Sequence, residues 1–293
     1  MVWRDGVFQM KFLVLGATGM AGHTIGLYLW ERGHEVTAFS RRKSFFLQNI
    51  VGDVKDLVLL RELLRAGDYD VIINCVGSLN QFAEQDKANA VYVNSFLPHW
   101  LARSIEGSKT RLIHMSTDCV FSGLQGNYTE SALPDGTSFY DRSKALGEID
   151  DEKNLTFRNS IIGPDMSEKG IGLFNWFMKQ RGTVKGYTKA IWSGVTTLTL
   201  AQAMEKAALD GLSGLYHLTN NESITKYELL RLFNKYFCNN ELQIVPTDGV
   251  NADKSLVNTR RDFDFQAPSY EAMIVQMRDW IEEHRALYPH YCL

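Results

Sequence analysis

The sequence has few cysteines, no excess of positive charge and no long apolar run. Its four cysteines, Cys75, Cys119, Cys238 and Cys292, form no Cys-x-x-Cys pair, and no histidine cluster has metal-ligand spacing, so we predict no metal site. A net charge of −3 without a basic stripe gives no sign of nucleic-acid binding. No apolar stretch reaches the roughly 18 residues that a membrane helix needs, so no membrane association is predicted.

The first nine residues carry Arg4 and Asp5 and lack the apolar core of a secretion signal. Isolated cysteines in a chain without such a signal are typical of a reducing compartment. We therefore expect a cytoplasmic protein.

The first half of the chain alternates short apolar runs with segments of helical periodicity. Such alternation predicts a parallel sheet covered by helices on both faces, a doubly wound α/β fold of the Rossmann type. The predicted strands are Lys11–Leu15, 35–39, 71–76, Arg111–Met115 and Leu155–Arg158, and the predicted helices are 19–32, 54–66, 83–105 with a kink at Pro98, and 140–151.

After Gly163-Pro164 this alternation loosens. The predicted elements are helices over 170–180, 198–209 and 270–284, a strand over 215–218, and a helix from Lys226 that Thr225 caps with the help of Glu228. We predict a nucleotide-binding domain over 10–165. Residues 166–293 are expected to form mainly a smaller substrate-binding lobe, with some elements returning to the sheet.

A glycine-rich turn directly follows the first predicted strand. Residues 16–22 are Gly-Ala-Thr-Gly-Met-Ala-Gly and open the first predicted helix. Glycine lets the backbone approach a pyrophosphate, and a helix N-terminus supplies free N–H groups. The spacing predicts a dinucleotide site that includes Gly16, Thr18, Gly19 and Met20. The alternative is a purely structural strand–helix turn.

The end of the second strand indicates which dinucleotide is bound. Ser40, Arg41 and Arg42 stand where an NAD-selective site carries an acid. Serine can donate a hydrogen bond to a 2′-phosphate, and arginine can bind it bidentately. This run predicts NADP(H) as the cofactor, with a solvated basic turn as the alternative.

Two more loops lie at the predicted carboxyl edge of the sheet, where ligands bind in open α/β folds. Asp53 and Val54 are expected near the adenine, although Asp53 could equally cap the following helix. The end of the predicted strand over 71–76 adds Cys75, Val76 and Gly77 to the predicted cofactor site.

Tyr140 and Lys144 stand four residues apart on a predicted helix, so both project from one face. A nearby ammonium is expected to lower the pKa of the phenol, which could then exchange a proton with a substrate oxygen. Thr117, at the end of the preceding strand, could orient that oxygen. Simple capping of the strand end is the alternative for Thr117.

Together these residues resemble the extended short-chain dehydrogenase/reductase family. Within it, residues 114–123 (HMSTDCVFSG), 128–130 (YTE) and 142–148 (RSKALGE) are similar to dTDP-4-dehydrorhamnose reductases. The resemblance implies a Thr117–Tyr140–Lys144 triad, cofactor contacts that include Asn94, and NADPH-dependent reduction of a 4-keto-6-deoxy sugar nucleotide for surface polysaccharide. It also implies a homodimer through 83–105 and 140–151.

The sequence departs from that pattern around the expected sugar. Those reductases carry a tryptophan shortly after the arginine that corresponds to Arg158. This chain lacks it, and Asn159 follows Arg158 here. We expect Thr117, Asp118 and Asn159 to contact substrate, together with Trp192 and Arg260 from the second lobe. Packing for Trp192 and a surface salt bridge for Arg260 are the alternatives.

Three other activities are weighed against reduction. Related dehydratases carry an Asp-Glu pair where this chain has Asp118-Cys119, and cysteine does not replace the glutamate that extracts a proton. Dehydration is therefore disfavoured. A sugar-nucleotide epimerase needs little beyond the same triad, and a non-catalytic NADP-sensing regulator could reuse the fold. Both stay open as alternatives.

Overall fold

The computed structural model describes residues 2–4, 7–44 and 46–291. The strands in chain order are β1 Val2–Arg4, β2 Val7–Gln9, β3 Lys11–Leu15, β4 Glu35–Ser40, β5 Gln48–Val51, β6 Val71–Asn74, β7 Arg111–Met115, β8 Leu155–Arg158, β9 Ile161–Ile162, β10 Thr183–Trp192, β11 Val195–Thr196, β12 Gly214–His217, β13 Ile224–Thr225 and β14 Gln243–Asp253. The α-helices are α1 Met20–Glu31, α2 Leu57–Ala66, α3 Asn80–Gln85, α4 Lys87–Ala90, α5 Leu97–Ser104, α6 Phe139–Ala145, α7 Leu173–Phe177, α8 Thr197–Asp210, α9 Lys226–Phe237 and α10 Tyr270–Glu283.

Seven strands form the central sheet in the order β12-β8-β7-β6-β3-β4-β5, and every pair in it is parallel. The direction of winding reverses at β3, which lies between β4 and β6. This is the topological switch point at which doubly wound sheets bind ligands. The predicted doubly wound Rossmann-type fold is confirmed.

Alternation along β3 divides the core between the two faces of the sheet. Phe12 and Val14 pack with α1, α8 and α10 on one face, while Leu13 and Leu15 pack with α2 and α5 on the other. All four side chains are fully buried. A strand whose side chains are buried on both sides must be apolar throughout, which explains the continuous run in the sequence.

The second half of the chain contributes a strand to the central sheet, helices to one of its faces, and a separate small sheet. β12 is the seventh strand of the central sheet, and α8 packs along α1. The buried carboxylate of Glu205 on α8 accepts hydrogen bonds from Tyr28 and Arg32 and lies 3.1 Å from His34 Nε2. β10, β13 and β14 form the small sheet, on which α9 packs. The division at residue 165 stays a prediction.

Several predicted helix boundaries are wrong. The helix predicted over 83–105 is divided at Asp86, whose side chain caps α4, and a π-helical segment, Val91–Phe96, then leads into α5. Pro98 is the second residue of α5, and the π-helical segment that ends at Phe96 directly precedes that helix, so the irregularity lies before the proline. α6 ends at Ala145, six residues before the predicted end.

Other differences are smaller. α2 begins at Leu57, and β6 ends at Asn74, which leaves Cys75 beyond the strand. α7 covers only the middle of the predicted helix over 170–180. The predicted capping box of Thr225 and Glu228 at α9 is confirmed.

A buried ion pair joins the loop after α6 to β8. Arg158 donates to both carboxylate oxygens of Glu148 at 2.7 Å, and both side chains are less than a tenth exposed. The hydroxyl of Ser116 donates to the same carboxylate at 2.6 Å. The guanidinium also stacks over the Phe121 ring. Arg158 therefore holds the end of β8 against the loop that follows β7.

Replacing Arg158 with methionine is expected to lower the free energy of unfolding by about 3 kcal/mol or more, because the carboxylate of Glu148 stays buried without its cation. Urea unfolding followed by circular dichroism measures the change. The matched control is Lys206→Met, which removes an exposed pair with Asp210 and should lower the free energy of unfolding far less, because water screens an exposed ion pair. Equal losses in the two variants would contradict the structural role of Arg158.

Candidate functional site

A groove of about 550 Å³ runs along the carboxyl edge of the central sheet at the switch point. Most of the predicted cofactor residues line it: Gly16, Thr18, Gly19, Ser40, Arg41, Arg42, Asp53, Val54, Cys75, Val76 and Gly77. Gly52, in the loop predicted to face the adenine, also lines the groove, and the sequence pattern did not indicate four further lining residues, Phe39, Lys55, Asn89 and Val93.

The glycine turn brings α1 against the loop that precedes it. Gly16 has φ +81°, and a Cβ there would lie 3.2 Å from the carbonyl carbon of Cys75. A Cβ on Gly22 would lie 2.3 Å from the Gly16 oxygen. Gly19, the N-cap of α1, provides no side-chain cap, and the first turn holds no acidic residue. The N-terminal end of the helix is therefore open to an anion in the groove.

The basic turn after β4 borders the same groove. Arg41 and Arg42 are exposed, and neither forms an ion pair with any residue in the described ranges. The Ser40 hydroxyl donates to the backbone oxygen of Arg42 at 2.6 Å, so its proton shapes the turn. The two guanidinium groups are thus the donors left for a 2′-phosphate.

Three predicted cofactor residues have structural contacts of their own. Asp53 does not cap α2, because the N-cap residue of that helix is Asp56. The Asp53 carboxylate accepts a hydrogen bond from the Lys55 backbone N–H instead. Met20 lies outside the groove, against Gly172. The buried amide of Asn94 bonds the backbone of Ser78 and the Ser143 hydroxyl, so it holds the loop after β6 against α6.

The three predicted catalytic side chains converge between the end of β7 and α6. Thr117 caps a short 3-10 turn over Asp118–Val120, and its hydroxyl donates to Asp118 at 3.1 Å. The Thr117 side chain acts to lower the pKa of the Tyr140 phenol. Burial has the larger effect, and with the nearby Cys119 it raises the pKa of Tyr140.

Lys144 does not lower the pKa of Tyr140 as the spacing predicted. Its ammonium donates to the Met115 carbonyl at 2.6 Å and lies 3.5 Å from His114 Nε2. Burial lowers the pKa of Lys144 to about 8, although Glu148 and Cys75 act in the opposite direction. The four-residue spacing gives both side chains the same helix face, but it does not determine which acceptor the ammonium contacts.

His114 is a neighbour of Lys144 that the sequence pattern did not indicate. It is fully buried in β7, burial keeps its pKa well below the usual value, and Nδ1 lies 3.2 Å from the Asn74 amide nitrogen. A histidine within an otherwise apolar strand was the signal available. Asn74, His114 and Lys144 therefore form a continuous row of polar side chains next to the three predicted catalytic residues.

The predicted substrate residues fall into two groups. Asp118 and Asn159 lie at the carboxyl edge, and Trp192 lies at the end of β10 beside Ser160. Arg260 does not join them. Its guanidinium pairs with Asp262 and donates to the backbone oxygens of Ser213 and Leu215, at the beginning of β12. Its position matches the salt-bridge alternative.

A model of the RmlD substrate-binding domain matches residues 10–256. The chain belongs to this family. A dTDP-4-keto-6-deoxy-D-glucose reductase of Streptomyces niveus is 26% identical over 234 residues, covering 76% of this chain and 77% of that one. A probable low-salt glycan biosynthesis reductase of Haloferax volcanii is 34% identical over 237 residues, covering 74% and 76%.

Solved structures of the RmlD family have the same fold. The crystal structure of a dTDP-4-dehydrorhamnose reductase from Bacillus anthracis, in complex with NADP, has a TM-score of 0.79 at 20% identity and covers 94% of this chain and all of that one. The predicted resemblance to dTDP-4-dehydrorhamnose reductases is confirmed at the level of the family.

Gly16→Ala is expected to weaken NADPH binding at least tenfold, because the new Cβ enters the groove beside Cys75. Gly33 is the matched control, since it has φ +86° and a Cβ there would meet no other atom within 4 Å. Both variants should lose about 1–2 kcal/mol of stability through left-handed backbone strain. Fluorescence titration with NADPH separates them, and equal affinity loss in both would refute the assigned role of Gly16.

Proposed function

We propose that this protein is an NADPH-dependent reductase of a 4-keto-6-deoxy sugar nucleotide, in the synthesis of cell-surface polysaccharide precursors. The observation that carries the proposal is the position of Thr117 and Tyr140 at the same sheet edge as a groove with an open helix N-terminus. The RmlD family and its reductase relatives give the substrate class.

The glycine turn and the basic turn fit NADPH. The backbone of Gly16 lies close to Gly22 in the first turn of α1, and the absence of side chains there leaves room for a pyrophosphate at the helix N-terminus. Arg41 and Arg42 line the same groove and provide cations for the 2′-phosphate. When bound, NADPH supplies the hydride that reduces the C4 carbonyl of the sugar. Lys144 uses one of its three N–H donors on Met115, so it retains donors for the hydroxyls of the adjacent ribose.

Tyr140 is the proton donor in this proposal. Reduction of a carbonyl leaves an alkoxide that must gain a proton, so the donor has to be protonated at neutral pH. Burial raises the pKa of Tyr140, which keeps the phenol in that form. Thr117, which follows the end of β7 and interacts electrostatically with Tyr140, orients the carbonyl oxygen. In this scheme the phenol transfers its proton as negative charge develops on that oxygen.

Cys119 separates reduction from dehydration. Burial and the adjacent Asp118 raise the pKa of its thiol to about 12, so the group is neutral at working pH. A neutral thiol is a poor base for removing a carbon-bound proton. This supports a reductase over a dehydratase. An epimerase would use the same triad without net consumption of NADPH, which an assay of cofactor oxidation distinguishes.

We also propose a homodimer and a cytoplasmic location. Phe82, Val91, Phe96 and Leu146 are exposed apolar side chains on the packed segments around α3, α5 and α6, which is the surface that the family resemblance assigns to a dimer. Cys75, Cys119 and Cys238 are free thiols, as is usual in a reducing compartment. Within the described ranges, no helix is long and apolar enough to span a membrane.

Tyr140→Phe is expected to lower kcat by roughly 10²–10⁴-fold, because the general acid is lost. NADPH affinity should stay within about twofold. NADPH oxidation is measured over a panel of dTDP-, UDP- and GDP-linked 4-keto-6-deoxysugars. Tyr69→Phe is the matched control, since Tyr69 is equally buried but precedes β6 at the opposite sheet edge. Full activity of Tyr140→Phe would exclude it as the proton donor.

Replacing both Arg41 and Arg42 with glutamine is expected to raise KM for NADPH at least tenfold, because two charge-assisted contacts to the 2′-phosphate are lost. KM for NADH should change by less than about twofold. Arg65→Gln, on the last turn of α2, is the control for a general loss of positive charge. Comparable wild-type rates with the two cofactors would refute the preference for NADPH.

A further inference from the structure

Lys226 occupies a position that is unfavourable for a cation. It is the first residue of α9, where the helix dipole places partial positive charge, so a like charge there is unfavourable. The helix does not depend on this side chain for its start, because Thr225 and Glu228 already form a complete capping box. Helix stability therefore gives no reason for a lysine here.

The ammonium of Lys226 has no hydrogen-bond acceptor among the described residues. Its Nζ lies 4.9 Å from the centre of the Trp192 ring. No hydrogen bond or ion pair joins Nζ to another residue in the part of the chain that the structure describes. Burial lowers the pKa of the ammonium to about 8, while Asp118 and Cys119 act to raise it. Asp118 and Cys119 directly follow Thr117, so the cation interacts electrostatically with the loop after β7.

Two buried polar side chains near Lys226 also lack partners among the residues that the structure describes. Asn159 is 3% exposed, and neither its amide nitrogen nor its oxygen has a hydrogen-bond partner there. Trp192 is 2% exposed, and no group in the same ranges accepts from its indole N–H. The Trp192 ring lies against the backbone of Ser160, since a Cβ on the intervening Gly194 would be 2.3 Å from both. Buried polar groups normally have partners, so these point to a ligand.

We propose that Lys226, assisted by Asn159, binds the sugar-linked phosphate of the nucleotide-sugar substrate. This inference rests on the proposed function. In a hexose, C1 lies across the ring from C4, so a C4 carbonyl held by Thr117 and Tyr140 leaves the first phosphate one ring width away. Lys226 approaches Asp118, next to Thr117, from the second half of the chain. Arg260, the cation expected from the sequence, is already paired with Asp262.

Nucleoside diphosphates test this contact without turnover. The terminal phosphate of UDP or dTDP corresponds to the sugar-linked phosphate, and UMP and dTMP lack it. Their affinities are measured by calorimetry on the full chain saturated with NADP⁺, for the wild type, Lys226→Met and Lys226→Arg. Lys226→Met should weaken UDP or dTDP binding at least tenfold, and UMP or dTMP binding less than about twofold, because only the diphosphates lose a charge-assisted contact.

Lys226→Arg should recover part of the diphosphate affinity. Lys235→Met is the matched control, since Lys235 lies on the same helix with its exposed ammonium paired to Glu271, and it should leave all affinities unchanged. Unchanged NADP⁺ affinity and melting temperature show that a variant is folded.

An unchanged diphosphate affinity in Lys226→Met would overturn the inference, and so would equal losses for mono- and diphosphates. Either result would leave Lys226 as a counterion of Asp118. A wild type that binds diphosphates no better than monophosphates would also overturn it. Intact nucleotide binding without NADPH oxidation on any sugar in the panel would instead refute the reductase proposal and retain the phosphate contact.

Discussion

The close approach of α1 to the loop after β3 is the constraint on which the site depends. The distance from Gly22 to the Gly16 carbonyl permits no side chain at position 22, and Gly16 needs a left-handed backbone conformation to turn beneath the helix. The N–H of Gly16 donates to the Phe39 carbonyl at 2.9 Å, which fixes the loop to the end of β4. The basic turn and the glycine turn are thereby kept at one groove.

Burial has opposite chemical consequences for Tyr140 and Lys144, the two partners on α6. It favours the neutral form of each group, so it raises the pKa of Tyr140 and lowers that of Lys144. The phenol becomes a weaker acid and stays protonated, which suits a donor in reduction. Lys144 keeps its positive charge at neutral pH through the Met115 carbonyl and the distant Glu148, so it acts on the site as a held cation.

The sequence was sufficient to predict six of the seven central strands and most of the groove, but not β5 or the small sheet. Apolar runs such as 12–15 are set by burial on both faces, and the carboxyl ends of parallel strands meet at one edge, so loops far apart in sequence could be placed together. Helix ends were less predictable, because Asp86 and Ala145 end helices through local caps and packing rather than periodicity.

Side-chain partners could not be predicted from spacing. Arg260 was expected to contact substrate, with a surface salt bridge as the alternative, and it is paired with Asp262. Lys226 was not singled out as a site residue, and it has no acceptor in the described part of the chain. Which acceptor a long cationic side chain reaches depends on the tertiary structure around it. A lysine at the first position of a capped helix was nevertheless a visible departure from dipole preference, and that departure is a usable signal in other sequences.

The Glu205 cluster has a consequence for how the chain folds. Tyr28, Arg32 and His34 belong to the nucleotide-binding half, and the carboxylate that they surround comes from α8. Without α8 and β12, the buried face of α1 and the edge of β8 would meet water. These contacts join the two sides of the change of rhythm near residue 165, so we expect both halves to unfold together in one cooperative transition.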